Sequence, residues 1–176
     1  MPSPLSISRN SKGLTPRSPA RVSSVTLGKE MLLDTLHAKE AIAFALHLEI
    51  RAQGFVDIDD AAREFGLRQL GDKWRRVDRD TAARVLFALL IEDMAFSSPR
   101  MSEQEARAAY DEFLSQFSAD SSFFTNGKWE DGWTKSEGQG VSFGPSWEPA
   151  TDATFDGGVV VLDHSLCGVL WLEDED

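Results

Sequence analysis

Hydrophobic positions along the chain have no period before about residue 29, a helical period to about residue 118, and a strand-like period beyond it. From Leu32 to Gln53, Leu32, Leu33, Leu36, Ala41, Ile42, Phe44, Ala45, Leu48 and Ile50 fit a broad helical stripe that Gly54 would stop. A second, shorter helix is predicted from Asp57 or Asp59 through Leu70. Its acids fall in the first turn, where the helix dipole favours them, and Ala62, Phe65 and Leu70 supply an inner face. A third runs from about Asp78 to Phe96, with Val85, Leu86, Leu89, Leu90 and Met94 on one side. The fourth opens at Ser102-Glu103-Gln104-Glu105, a capping-box pattern, and carries Ala106, Ala109, Tyr110, Phe113, Leu114 and Phe117 as its stripe.

The last third is richer in glycine and tryptophan. Asn126-Gly127 is a turn signal between Phe123-Phe124 and Trp129, and Val141-Ser142-Phe143 reads as a short strand. The clearest hairpin pairs Gly158–Leu162 with Cys167–Leu172 through Asp163-His164-Ser165. Val159, Val160 and Val161 are β-branched in succession, which predicts a strand covered on both faces. The acids Glu173–Asp176 would keep a last strand from pairing further at its edge. The expected class is α+β: an N-terminal bundle of about four helices, then a small antiparallel sheet ending in a hairpin. The expected segments are a leader over 1–28, a helical region over 29–118 and a β region over 119–176, the last packed on the helices as one domain.

Charge divides the chain unevenly. Residues 1–29 hold Arg9, Lys12, Arg17, Arg21 and Lys29 and no acid, so a chain of net charge −11 carries −16 after them. The leader is rich in Ser and Pro and poor in apolar surface, which predicts disorder. Its cations are too sparse for a nucleic-acid arm or a localisation signal. The acidic remainder repels phosphate backbones and attracts basic surfaces, so the expected partner is a basic protein, with no membrane contact and nucleic acid disfavoured. The lone Cys167 excludes an intrachain disulfide, no apolar run is long enough to span a bilayer, and the leader lacks a signal-peptide core. A cytoplasmic location is the expectation.

Candidate chemistry is sparse. His164 and Cys167 flank the hairpin turn, but the cysteine begins an apolar strand, the setting of an inert core thiol. His37 and His47 are nearly three helical turns apart, too far for one metal. Asp57, Asp59 and Asp60 lack the glycine and closing glutamate of a calcium loop. Gly138-Gln139-Gly140 lacks the glycine and helix that a phosphate loop needs. Asp152, Asp156 and Asp163 with Glu173 and Asp174 flank the hairpin, and folding could gather them around a divalent metal, which makes a metal-dependent hydrolase or nuclease the first alternative. Ile58–Leu67 followed by the basic stretch Arg68–Arg79 loosely fits a helix-turn-helix, so a DNA-binding regulator is the second. No metal or cofactor is expected under the preferred reading, which is not enzymatic.

The tryptophans admit two readings, a cover for the sheet or a contact surface. In the second, Trp129, Trp133 and Trp147 with Glu130 and Asp131 would anchor an Arg- and Lys-rich partner, joined by Asp156, Glu173 and Asp174. The stretch Thr154–Val160, continued by Leu170-Trp171-Leu172-Glu173-Asp174-Glu175-Asp176, resembles small acidic bacterial immunity proteins of polymorphic-toxin systems, over about the last third and in texture. That resemblance implies inhibition by occlusion, with an acidic surface set against a toxin's basic face. The preferred expectation is an acidic module that sequesters or inhibits a basic protein partner.

Overall fold

The computed structural model describes residues 44–52, 54–131, 134–135, 142–143 and 145–175. Five strands form an antiparallel sheet in the order β1-β7-β6-β3-β2: β1 (Phe44–Arg51), β2 (Arg75–Val77), β3 (Ser122–Thr125), β6 (Phe155–Leu162) and β7 (Cys167–Asp174). A separate two-stranded ladder joins β4 (Thr134–Lys135) to β5 (Ser142–Phe143). Among the described residues there are three α-helices, α1 (Ile58–Glu64), α2 (Arg79–Ile91) and α3 (Glu103–Ser115).

This overturns the expected four-helix N-terminal bundle. Two of the five sheet strands, β1 and β2, come from the stretch assigned to helices. Over residues 46–51 the apolar residues Leu46, Leu48 and Ile50 alternate with His47, Glu49 and Arg51, a period of two that the neighbouring apolar residues disguise as a helical stripe. Each residue of β1 pairs with β7, from Phe44↔Asp174 to Arg51↔Cys167, and that ladder decides the conformation. The second helix, expected to reach Leu70, ends at Glu64, and a short 3-10 turn at Gly71–Lys73 and then β2 follow. The chain leaves α1 through Phe65 and Gly66, whose φ of +79° suits glycine. The residues before Phe44, including most of the first predicted helix and the leader, lie outside the described residues.

The later helices follow their local signals. Asp78 caps α2 by accepting from the Thr81 amide at 2.7 Å. Ser102 and Glu105 close the capping box of α3. The C-terminal hairpin forms between the expected segments, with Leu162 opposite Cys167 and Val160 opposite Val169. However, β7 is not an edge: β1 and β6 flank it, so the terminal acids do not guard an open rim. Nor does Asn126-Gly127 turn a tight hairpin, because Gly127 bridges to Trp147 and the chain goes on into a 3-10 turn at Trp129–Asp131.

Alternate residues of the central strands feed two cores. Val159, Val161, Leu170 and Leu172 pack with α2 and α3, while Val160, Val169 and Trp171 pack with α1 and Trp74 on the other face. Trp171 is fully buried, edge-on to Trp74 at 6.0 Å, and the Trp74 indole N–H donates to Asp59 at 2.8 Å. Asp59, in the first turn of α1, therefore holds an aromatic in place. Gly157 leaves room for an indole, since a Cβ there would lie 2.5 Å from Nε1 of Trp129.

Candidate partner-binding site

One end of the sheet, where β1 and β6 begin and β7 ends, gathers most of the polar side chains buried in the fold. Asp174 stands opposite Phe44 on one side and Phe155 on the other. Its carboxylate accepts from Nη2 of Arg100 at 2.5 and 2.6 Å and from the Met94 amide at 2.7 Å. Arg100 also donates to the Leu89 carbonyl at 2.7 Å. Both residues are 2% exposed, so two opposite charges leave water together and compensate each other there.

That pair anchors the loop between α2 and α3. The Arg100 amide donates to Ile91 at 2.8 Å, Glu92 bridges Pro99, and the Asp93 amide donates to Ser98 at 2.9 Å. Asp93 folds back into the loop and accepts from the amides of Phe96 at 2.5 Å and Ser98 at 2.9 Å. Burial raises its pKa, but these donors and nearby Arg100 outweigh it, holding the carboxyl below the usual range. Ser97 takes a left-handed φ of 55°, a costly conformation for a residue with a Cβ. At the tip, Phe96 is 73% exposed. A buried ion pair and a strained serine together hold a phenyl ring in solvent.

Beside the loop lies a cleft of about 110 Å³ lined by Leu89, Ile91, Glu92, Met94, Trp129 and Pro145. Its floor is fixed from beneath. The Trp129 indole donates to Asn126 at 2.9 Å, and the Asn126 amide donates to the Asp156 carboxylate at 3.1 Å and carbonyl at 2.9 Å. Asp156 also accepts from the Ala150 amide at 2.7 Å. Burial pushes the Asp156 pKa up, against the pull of the Ala150 and Thr151 donors. Trp147 stacks between Trp129 and Phe155 at 5.2 and 5.5 Å.

The expected contact residues are thus divided. Trp129 forms the cleft floor at 3% exposure, and Trp147 is half-buried against it. Asp156 and Asp174 are buried in the networks just described, with almost none of their carboxylate offered to solvent. Glu130 pairs with Arg75 at 2.5 Å, and Glu173 pairs with His47 at 3.1 Å. Burial raises the Glu130 pKa, but the hydrogen bond and charge of Arg75 bring it below the ordinary value. Asp131 is exposed, next to the cleft floor in sequence, and Trp133 lies outside the described residues. Sequence reasoning missed Glu92 and Phe96. The only signal for them was Ser97-Ser98-Pro99, a helix stop placed just after an aromatic residue.

The other groups singled out in the sequence stand apart from one another. Asp152 meets Arg68, while Asp163 holds the Ser118 amide and the Ser121 hydroxyl, each at 2.8 Å. These bonds bring the Asp163 pKa down to about 2. Among the described residues no three His, Cys, Asp or Glu side chains stand together to hold a metal ion. Cys167 is buried in β7, and burial pushes its thiol up to about 11, while His164 is exposed. Residues 68–79 form no recognition helix up to Asp78: Arg75 and Arg76 lie in β2, bonded to Glu130 and Ser122. Among the described residues no helix is long and apolar enough to cross a membrane.

No protein-family model matches this chain, and no curated protein or solved structure is significantly similar to it.

Proposed function

We propose that the protein is a binding module that sequesters or inhibits a basic protein partner, and that it works through the end of the sheet carrying Phe96. The observation that carries this reading is the presentation of Phe96, 73% exposed on a loop pinned by Asp93 and the Arg100–Asp174 pair. A lone exposed aromatic needs no explanation, but one held out by buried charge and a left-handed serine has its ordering cost met before any partner arrives. Beside it the apolar cleft supplies a pocket, and the exposed carboxylates of Glu92, Asp131 and Glu175 supply the charge to steer a cationic surface. The role moves from the indoles to the phenyl ring, because Trp129 and Trp147 support the cleft from within.

A toxin with a basic face is the partner class that the likeness of the C-terminal third to immunity proteins implies, and a reducing cytoplasm is the compartment that suits a lone buried thiol. The test is co-purification from the native host with the wild-type chain and with Phe96→Ala as baits. A basic protein held by the first should bind the second at least about tenfold more weakly, as for an interface hot spot. Glu92→Lys should slow association and flatten its salt dependence. Recovery of no basic protein, or equal binding by both baits, would refute the proposal.

A further inference from the structure

β1 bonds to β7 along one side, and among the described residues no strand lies along its other side. The outer N–H and C=O groups of an eight-residue strand therefore face outward, a row that invites another strand. Its side chains alternate: Leu46, Leu48 and Ile50 pack against the helical core yet stay partly exposed, whereas His47 and Glu49 are exposed on the opposite face. We propose that this edge pairs antiparallel with β1 of a second copy, about a two-fold axis at Leu48, so that two five-stranded sheets become one.

The register follows from the side chains. Opposed residues must share a face, so a symmetric pairing has to centre on a residue. Centred on Leu48, it sets Leu46 against Ile50 of the second copy and Leu48 against itself, extending the apolar row across the seam. On the other face it sets His47, which also meets Glu173 of its own chain, against Glu49 of the second copy, which its own Arg51 also contacts, and the symmetry supplies that pair twice. Centring on Glu49 would oppose two glutamates and set His47 against Arg51. Centring on His47 would oppose two histidines. A pairing centred on Ile50 would also match Glu49 with Arg51, but it uses only residues 49–51 of each strand. The Leu48 register alone combines a His–Glu hydrogen-bonding pair with nearly the full length of the strand. Each copy carries a net charge of −11, so repulsion between the bodies opposes the dimer and added salt should strengthen it.

The test is sedimentation of the full chain over a concentration series reaching roughly 100 µM, a range that reveals even weak self-association. Twice the 19.5 kDa chain mass is expected. Glu49→Lys should weaken the dimer about tenfold, even though it lowers the net negative charge that opposes association. The exchange His47→Glu with Glu49→His should restore it. Leu48→Cys should cross-link to itself under mild oxidation, and Glu49→Cys, which opposes His47 in this register, should not. A monomer at every concentration would overturn the proposal. So would a dimer in which Leu48→Cys does not cross-link, because that dimer uses another surface.

Discussion

Replacing Asp174 by Ala removes one half of a charge pair that the fold keeps almost dry. In the wild type the carboxylate takes both contacts from Arg100 Nη2 and the Met94 amide, and the two side chains are 1% and 3% exposed. The substitution removes the carboxylate paired with the buried guanidinium and frees a buried backbone N–H. Breaking a buried pair from one side costs about 3–5 kcal/mol, and an unsatisfied buried amide about 1–3 kcal/mol. Relaxation of the loop lets water reach both groups, so the two costs do not add fully, and about 4 kcal/mol is the expected loss. That is a large part of the 5–15 kcal/mol typical of a folded domain. Urea unfolding, followed by tryptophan fluorescence, measures it directly. Removing both charges together, as in Arg100→Met with Asp174→Leu, should cost less than Asp174→Ala alone, because nothing charged is then stranded. A loss below about 1 kcal/mol for Asp174→Ala, or a double variant no better than the single, would refute the claim that this pair holds the loop.

Two further outcomes follow from contacts of a different kind. Asp163 has a folded pKa of about 2, below its ordinary 3.8, so its contribution to stability is present above about pH 4 and is lost as the pH falls toward 2. Melting temperatures measured across that window should fall less steeply for Asp163→Asn than for the wild type. Gly157→Ala places a methyl group 2.5 Å from the Trp129 indole nitrogen and should cost about 1–3 kcal/mol through overpacking, with a shifted tryptophan emission; unchanged stability and emission would show that the indole yields freely.

Local chemistry was legible wherever the decisive partner lay close in sequence. The helix start near Asp78, the Ser102–Glu105 box and the hairpin joining β6 to β7 depend on neighbours within a few residues, and each formed as expected. β1 did not, because Leu46, Leu48 and Ile50 satisfy a helical stripe once Phe44 and Ala45 are added, and only the distant β7 settles the choice. The acids of the last strand misled for the same reason. In sequence, Glu173 and Asp174 look like solvated charges, and nothing near them hints that Arg100 waits across the sheet or that His47 lies alongside. The candidate site was least legible of all. Whether an indole is a contact or a support depends on glycines and amides brought together from separate strands, as Gly157 and Asn126 are around Trp129.

The ladder between β1 and β7 also governs the order in which the molecule can be made. Phe44 and its partner Asp174 are 130 residues apart, so on the ribosome the first described strand is finished long before the one that completes it. Synthesis at about 5–20 residues per second leaves Leu46, Leu48 and Ile50 waiting for several seconds or more. Closing so large a loop is slow in its own right. The nascent chain therefore carries this apolar segment unpaired until β7, which lies between β1 and β6, has been made and slides into place.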